Sequence, residues 1–431
     1  MSVHKPLEGI KVVELASFVA APAAGRMLAE MGADVIRVES TAGDPWRFYG
    51  VNCGLPVADE ENPLFDLYNL GKRDIQLDTK TPEGKEILLR LLGEADVFIT
   101  NNRLKSLVRA GLDYDSLKDR FPKLIYGLVT GYGQTGPDVD APGYDGVDFF
   151  SRSGMLADMA EPGGYPASAP GCVGDGATGA ALFGGICAAL FNRTRTGVGD
   201  KVVTNLYAAA IFASDIGICA QQFGADYPKS RTDVPNPFNN TYRTSDDKWI
   251  YICMPQYDKY YAMMMELFGR QDQVDNVDTR DLSHLKASGK NKEVIGWLEE
   301  AFAKQPFEYW MEQFREHQVP AQKLFRFPDI LRDEEAYIND SLRTVEYDEF
   351  GKHALPMTPL RFESAGDPPV ILAKPIGYHT KEIMEKYGYS AEEIAAIEEK
   401  GGVGIYHGEP IPDTIFKSKR QEAGDAACTW E

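Results

Sequence analysis

The fold of this chain is decided by residues 9–38, GIKVVELASFVAAPAAGRMLAEMGADVIRV. Residues 9–15 form a short apolar run, which predicts a β-strand. Residues 21–31 are rich in alanine and predict a helix, because Pro22 is tolerated in a first helical turn. Residues 34–38 form a second apolar run, so the stretch predicts one strand–helix–strand unit.

The same alternation continues along the first half of the chain. Further strands are predicted at residues 74–77, 97–100, 124–128 and 201–204, and further helices at residues 82–92, 178–191 and 206–222. Strands that alternate with helices form a mostly parallel sheet with helices on both faces. We therefore predict an α/β fold.

The composition of the sequence changes after residues 227–240, a stretch rich in proline and asparagine that is typical of a linker. Beyond it, one strand and several amphipathic helices predict a second, smaller domain. The predicted organisation is a large domain over residues 1–226, a linker over 227–240, a small domain over 241–329 and a C-terminal segment over 330–431. We expect that segment to return to the large domain and to end in an irregular polar stretch from about Ile411.

Composition narrows the class of protein. The 431 residues are 43% hydrophobic and 26% charged, as in soluble globular proteins, and the net charge of −20 argues against nucleic acid or an anionic membrane as a partner. The longest apolar stretch, residues 177–191, is shorter than the ~20 residues of a membrane span, and the N-terminus has no apolar signal core. We expect a cytoplasmic protein whose six scattered cysteines are reduced and packed.

A single carboxylate, Asp175, lies in the glycine-rich stretch GCVGDGATG, residues 171–179. From the reference pKa of about 3.9, we expect it to be ionised at neutral pH. It could then attack an activated acyl group without a general base, while the amides beside Gly174 and Gly176 stabilise an oxyanion. An Asp-Gly pair is also an ordinary turn, so the stretch alone leaves both interpretations open.

Polar residues gather where the predicted strands end, which is where open α/β sheets bind their ligands. The glycine fingerprint of dinucleotide sites is missing there. A cluster near the third and fourth strands suits a phosphate-bearing ligand, although a solvated surface is the alternative. It contains Lys72, Arg73, Asn101, Asn102, Arg103, Lys105 and Arg109.

Histidine is missing between residues 5 and 283. A Ser-His-Asp triad or a histidine metal cluster built from the α/β core alone is therefore excluded. Elsewhere the sequence has no short-spaced set of histidine and cysteine ligands, so we predict no metal site.

Several motifs together resemble the family III CoA-transferases. They occupy residues 7–15, 21–22, 28–39, 69–78, 95–101 and 196–202. The resemblance implies an interlocked homodimer, each subunit having a Rossmann-like large domain and a smaller α+β domain. It also implies that Asp175 is the nucleophile, that CoA and acyl-CoA are substrates, and that no cofactor is bound permanently.

The resemblance also implies where CoA binds. The contacts would be the backbone of Phe18, Val19 and Ala20 and the side chains of Lys72, Asn101 and Arg109, to which we add Asn102 from the cluster above. Some members of the family have a CoA-binding arginine directly after the glutamate that ends the second strand. Here that position is Ser40, and Arg37 or Arg47 could replace the missing arginine.

Residues 60–65 and 142–145 are similar to the 2-hydroxyacyl-CoA transferases of amino-acid-fermenting anaerobes. This likeness implies a 2-hydroxy acid with an aromatic or branched side chain, in a substrate pocket that would contain Tyr144, Asp145 and Phe149. Phe150 could also line it, although aromatic residues commonly belong to a core. The alternatives are an α-methylacyl-CoA racemase of the same fold, a transferase for carnitine or another acid, and a non-catalytic CoA-binding protein.

Overall fold

The computed structural model describes residues 4–58, 60–367 and 369–408. The chain divides into two compact units. The first contains the described residues up to Ser153, the segment Ala169–Ile218 and the residues from Tyr337 onward. The second contains Gly154–Ser168 and Cys219–Ala336. The polar end predicted from Ile411 lies outside the described residues, as does Cys428.

The strands of the described chain are β1 Lys11–Leu15, β2 Asp34–Glu39, β3 Arg73–Leu77, β4 Val97–Thr100, β5 Ile125–Thr130, β6 Lys201–Asn205, β7 Asn239–Arg243, β8 Trp249–Cys253, β9 Ala321–Lys323, β10 Leu342–Tyr347, β11 Gly351–Pro356 and β12 Val403–Gly404. The helices are α1 Ala20–Glu30, α2 Pro63–Asn69, α3 Pro82–Glu94, α4 Leu104–Ala110, α5 Tyr114–Leu117, α6 Met155–Asp158, α7 Val173–Thr196, α8 Leu206–Ala213, α9 Asp215–Gln221, α10 Tyr257–Leu267, α11 Leu282–Ser288, α12 Asn291–Phe302, α13 Phe307–Glu316, α14 Phe327–Ile330, α15 Glu334–Ile338, α16 Thr380–Lys386 and α17 Ala391–Glu399. Short 3₁₀ helices span Pro45–Cys53 and Gln271–Gln273, and a π-helix spans Asp145–Ser151.

The first unit is built on a seven-stranded sheet in the order β12-β3-β2-β1-β4-β5-β6. Its strands are parallel except β12, which pairs antiparallel with β3. The predicted α/β class is therefore confirmed. The strand order reverses between β1 and β4, and open sheets of this kind bind ligands in the crevice outside the strand ends at that point.

Helix α7 is the element in which the sequence and the structure differ most. The sequence predicts a helix from residue 178 to 191, whereas α7 runs from Val173 to Thr196 and is 24 residues long. By length and composition alone it could cross a membrane, so the prediction that its apolar stretch is too short for a span is wrong. The predicted helix at residues 206–222 is in fact two helices, α8 and α9, which meet at Ser214.

A close crossing of α7 and α1 positions the glycine-rich stretch. A Cβ atom on Gly179 would lie 2.6 Å from the carbonyl oxygen of Ala20 and 2.7 Å from the Cβ atom of Ala23. Only glycine therefore allows the two helices to approach this far. Because residues four apart share a helix face, Asp175 lies on the same side of α7, one turn nearer its N-terminus.

The second unit has its own core. A three-stranded antiparallel sheet, β7-β8-β9, packs against helices through aromatic rings, and Tyr242 stacks on Phe302 with centroids 4.9 Å apart. Residues 154–168, which the sequence places in the large domain, belong to this unit. Glu161 explains this, since its carboxylate accepts hydrogen bonds from the Ser230 hydroxyl and, at 3.2 Å, from the Arg231 amide.

Candidate active site

Asp175 lies in the first turn of α7, and its position depends on Asp145. The residue that precedes the helix, Cys172, has a left-handed φ of +63° and provides no side-chain cap. The Asp145 carboxylate caps the helix instead, and it accepts a hydrogen bond from the Asp175 amide at 3.2 Å. Burial raises the pKa of Asp145, and hydrogen bonds from the backbone of residues 172–175 oppose that rise.

Gly174 makes this arrangement possible. A side chain at this position would overlap the Asp145 carboxylate and the ring of Phe149, which is 3% exposed. The sequence places Asp145 and Phe149 in the substrate pocket. In the structure both side chains pack against Gly174, in the first turn of α7, and so they hold the backbone of the nucleophile in place. Tyr144, the third predicted pocket residue, is 55% exposed and remains free to contact a substrate.

The electrostatic state of Asp175 differs from the expectation. Burial raises the pKa of its carboxyl to about 7, and the negative charges of Asp145 and Asp148 add to the rise. The carboxyl is therefore only partly ionised at neutral pH, not fully ionised as its reference pKa predicts. An aspartate with this pKa is a stronger nucleophile when ionised, because its charge is less stabilised by solvent.

Asp148 is the site residue that sequence reasoning missed. Its side chain is fully buried, in a space that a Cβ atom on Gly131 or Gly143 would occupy. Burial raises the pKa of its carboxyl, and both carboxylate oxygens are buried without a hydrogen-bond partner among the described residues. The sequence gives little signal for it, because Asp145–Ser151 form a π-helix, in which the i, i+3 rule of α-helices does not apply.

This carboxylate cluster predicts the pH dependence of activity. Because the reactive form of Asp175 is deprotonated, kcat/KM for the acyl-CoA should rise with pH, with an apparent pKa of about 7. Asp148→Asn should move this apparent pKa to lower pH, because it removes one negative charge. Asp119→Asn, on an exposed surface residue, is the matched control and should leave the profile unchanged. A profile that is flat between pH 5 and 8 would contradict the assignment.

Aromatic rings lie beside the nucleophile. The ring of Phe18 meets that of Tyr144 edge-on at 5.8 Å and lies 6.5 Å from that of Trp46, which in turn lies 5.9 Å from Tyr68. Phe18 has a left-handed φ of +61°, and its amide donates to both carboxylate oxygens of Asp44, at 3.1 and 3.2 Å. These rings offer an apolar surface to an acyl group.

The N-terminus of α1 is the best candidate for an anion site. It has no capping side chain and no acidic residue in its first turn, so the amides of Ala20 and Ala21 can bind a phosphate. Two of the predicted contacts hold this turn instead of facing a ligand. The Phe18 amide is bound by Asp44, and Asn101 accepts from the Ser17 amide at 3.1 Å and donates to the Ser17 carbonyl at 2.7 Å.

Asn102 and Arg109 lie on the same side of the sheet, after β4. Asn102 is half-buried, and its amide donates to the Thr100 hydroxyl at 3.2 Å. Arg109 is exposed on α4, so its guanidinium can reach a ligand. Val19 is buried at the start of α1, so it can contribute only its backbone.

Lys72 requires a correction. Its ammonium is fully buried and donates to Glu14 at 2.9 Å, to the Pro22 carbonyl at 2.9 Å and to Asn69 at 3.0 Å. These contacts use all of its N–H donors, so Lys72 cannot bind CoA in this structure. It ties the first turn of α1 to β1 and α2, and so positions the anion site.

The two arginines proposed to replace the missing one at Ser40 are also buried. Arg37 is fully buried and pairs with Glu14 at 3.2 Å and with Asp44. Arg47 donates to Glu39 at 3.0 Å. Both hold carboxylates inside the fold, while Ser40 itself is exposed. Neither can take the place of a CoA-binding arginine.

The glycine amides proposed for oxyanion stabilisation are also engaged. The Gly176 amide donates to the Cys172 carbonyl at 3.0 Å, and the Gly174 amide is directed at Asp145. Among the described cysteines, Cys172 and Cys187 are half-buried but Cys53, Cys219 and Cys253 are exposed, contrary to the packed surroundings expected. Over the described ranges, no three histidine, cysteine or acidic side chains group as a metal site would require.

Comparison with known proteins adds independent evidence. A family model described as CoA-transferase family III matches residues 7–380. The cinnamoyl-CoA:phenyllactate CoA-transferase of Clostridium sporogenes is 39% identical over 393 residues, which cover 90% of this chain and 95% of the relative. The (R)-2-hydroxy-4-methylpentanoate CoA-transferase of Clostridioides difficile is 36% identical over 393 residues, which cover 90% of this chain and 97% of the relative. A CAIB/BAIF family protein from Brucella suis has a crystal structure that superposes with a TM-score of 0.74 at 29% identity, covering 89% of this chain and all of that one.

Proposed function

Because this chain belongs to CoA-transferase family III, we propose that it moves CoA from an acyl-CoA to a free 2-hydroxy acid with an aromatic or branched side chain. Two relatives whose names include 2-hydroxy acids support the acceptor class. The observation that carries the mechanism is the place of Asp175. It lies one helical turn from the glycine contact between α7 and the uncapped N-terminus of α1.

In the first half of the reaction, the Asp175 carboxylate attacks the carbonyl carbon of the acyl-CoA. The carbon–sulfur bond breaks, which leaves a mixed anhydride on Asp175 and a CoA thiolate. The thiolate then attacks the aspartyl carbonyl of the anhydride. The donor acid leaves as a carboxylate, and Asp175 carries CoA as a thioester.

In the second half, the carboxylate of the acceptor acid attacks the aspartyl thioester and releases the CoA thiolate. The thiolate attacks the acceptor side of the new anhydride, which yields the product acyl-CoA and frees Asp175. One thioester replaces another, so no ATP is needed. Water must be kept from the anhydride, and the aromatic rings of Phe18, Trp46 and Tyr144 can exclude it.

A homodimer is part of this proposal. Apolar side chains are exposed in the first unit on α7, α8 and α9, and they include Phe191, Phe212 and Ile216. Exposed apolar patches mark interaction surfaces, and a second copy of the chain would cover this one. We expect light scattering to give twice the monomer mass, in a cytoplasmic protein that binds neither nucleic acid nor membrane.

One incubation separates the candidate reactions. The protein is mixed with an acyl-CoA and a free acid in deuterated water, and the products are read by mass spectrometry. Transfer of CoA to the acid supports the proposal. Exchange of the α-proton without transfer would indicate a racemase, for which no histidine is available between residues 5 and 283, and neither product would indicate a binding protein.

The acceptor preference is a second prediction. With one donor, kcat/KM for phenyllactate or 2-hydroxyisocaproate should exceed that for oxalate or carnitine by about tenfold, or about 1.4 kcal/mol of transition-state free energy. The second carboxylate of oxalate would call for a cation, and residues 144–151 and 171–179 contain no lysine and no arginine. The aromatic rings would attract the quaternary ammonium group of carnitine. A low kcat/KM for carnitine is therefore the more demanding test of the acceptor class. A clear preference for oxalate or carnitine would contradict the acceptor class.

Arg109 provides a test of the predicted CoA-binding site. Arg109→Ala should weaken CoA binding on the order of tenfold, because a charge-assisted contact with a phosphate is lost. Affinity for CoA should also fall with added salt in the wild type and less steeply in the variant. Arg120→Ala is the matched control. Arg120 is exposed and precedes β5, so it lies toward the amino ends of the parallel strands, whereas Arg109 follows the carboxyl end of β4. Unchanged CoA affinity in Arg109→Ala, measured by calorimetry, would remove Arg109 from the site.

A further inference from the structure

One ring of the aromatic surface is carried on a strained backbone. Phe18 has a left-handed φ of +61°, a conformation that is unfavourable for any residue with a Cβ atom and that glycine adopts freely. A residue that persists in such a conformation is held there by its surroundings, and residues of this kind concentrate at functional sites. The chain therefore keeps a ring at a position where glycine would be less strained.

Asp44 holds Phe18 in this conformation. Its carboxylate oxygens accept from the Phe18 amide at 3.1 and 3.2 Å, and one of them also accepts from the Trp46 amide at 2.9 Å. Asp44 is itself fixed, because it is 3% exposed and forms an ion pair with Arg37. Its own amide donates to the Glu39 carboxylate at 2.9 Å. A buried network thus sets the direction of the Phe18 ring.

Phe18 lies where α1 and α7 cross. It is two residues before Ala20, whose carbonyl oxygen would be 2.6 Å from a Cβ atom on Gly179. Gly179 is one helical turn from Asp175, on the same face of α7. Phe18 and Cys172, the residue that directly precedes α7, also pack against the same apolar cluster. The ring therefore lies near the first turn of α7.

Tyr144 continues this surface from a second segment of the chain. Its ring meets that of Phe18 edge-on, with centroids 5.8 Å apart. Tyr144 directly precedes Asp145, whose carboxylate accepts from the Asp175 amide at 3.2 Å. Tyr144 is 55% exposed and Phe18 is half-buried, so the pair of rings is open to a ligand beside the nucleophile.

The acceptor acid brings an apolar group to this place. Its carboxylate reacts at Asp175, and its side chain is bonded to the carbon next to that carboxylate. We propose that the rings of Phe18 and Tyr144 bind this side chain, an inference that rests on the proposed function. Asp44 is then a positioning residue, which directs the Phe18 ring toward the acid. A large apolar side chain gains from the contact in proportion to the surface it removes from water, whereas a methyl group gains little.

Phe18→Gly tests the inference, because it removes the ring without adding backbone strain. With one acyl-CoA donor, kcat/KM is measured for phenyllactate and for lactate, which has the same carboxylate and 2-hydroxyl but a methyl side chain. The wild type should prefer phenyllactate on the order of 100-fold. In Phe18→Gly this preference should fall about tenfold, since Tyr144 remains, while the value for lactate stays the same. Phe362→Ala removes an exposed ring beside Glu30, at the opposite end of α1, and should change neither value.

Asp44→Asn tests the positioning role in a double-mutant cycle. It should lower the preference for phenyllactate, because asparagine has one acceptor oxygen instead of two and lacks the charge that pairs with Arg37. In the Phe18→Gly background the same substitution should leave the remaining preference unchanged, because there is no ring to direct. The ratio of the two kcat/KM values does not depend on the folded fraction, so a loss of stability does not obscure the result.

The outcomes separate this inference from the function on which it rests. An equal loss with both acids in Phe18→Gly would mean that the ring only supports the fold, and an unchanged ratio would mean that another surface binds the side chain. Either result overturns the inference while transfer by the wild type still stands. An equal effect of Asp44→Asn in both backgrounds would overturn the positioning role of Asp44. Wild-type protein that transfers CoA to neither acid would overturn the proposed acceptor class and this inference with it.

Discussion

Asp175→Ala is expected to abolish CoA transfer, with kcat lowered on the order of 10³-fold or more, because the carboxylate carries every covalent intermediate of the proposed reaction. No neighbouring group can replace it. The Cys172 thiol lies three residues away, but burial and the charge of Asp175 raise its pKa to about 12, so it remains a poor nucleophile. The fold and the binding of CoA should persist, since the Asp145 cap contacts the amide of residue 175 rather than its side chain.

The measurement has two parts. Transfer is followed by mass spectrometry of the acyl-CoA products, and wild-type protein incubated with acyl-CoA alone should gain a CoA-mass adduct that maps to Asp175. Asp175→Asn is the matched variant, because it keeps the size of the side chain and removes only the nucleophilic charge. It should be as inactive as the alanine variant and form no adduct. Turnover near the wild-type rate in either variant would contradict the proposed mechanism.

The sheet could be predicted from the sequence because its signals are local. The strand Val97–Thr100 is a four-residue apolar run that lies buried in the middle of the sheet, and its bounds were predicted correctly. Central parallel strands are covered on both faces, so they produce continuous apolar runs that need no knowledge of the partners. The strand–helix–strand alternation then leaves few possible topologies.

The start of α7 could not be predicted in this way. Glycine and aspartate favour turns, and residues 171–176 contain little else that favours a helix. The helix begins at Val173 because Asp145 caps it from thirty residues earlier in the chain. The raised pKa of Asp175 has the same origin, since Asp145 and Asp148 approach it only in the folded chain.

The burial of the Lys72 charge also could not be predicted from the local sequence. Lysine is almost never fully buried unless it is paired, so a lysine beside other basic residues is read as exposed. Its partner, Glu14, lies 58 residues earlier on β1. Nothing in the local sequence indicates this pairing.

Lys72→Ala should therefore lower the stability of the fold, rather than remove a direct contact with CoA. Removing one partner from a buried ion pair typically costs about 3–5 kcal/mol, because the other charge stays buried without compensation. Among the described residues, Glu14 would then have one ion pair left, with Arg37 at 3.2 Å. In a unit of this size the loss corresponds to a fall in Tm of about 5–8 °C.

The controls decide between a structural and a nucleotide-binding lysine. Lys105→Ala, at an 80% exposed residue paired with Asp140, should leave Tm almost unchanged. Combining Lys72→Met with Glu14→Gln removes both charges and should recover part of the lost stability. Tm is measured by calorimetry, and CoA affinity is then measured at a temperature where each variant is folded. If Lys72→Ala keeps the wild-type Tm and loses CoA affinity, the ammonium contacts the nucleotide as the family resemblance implied. If Tm falls and the folded fraction still binds CoA, Lys72 acts by holding the first turn of α1, whose amides then remain the principal contact for the phosphates.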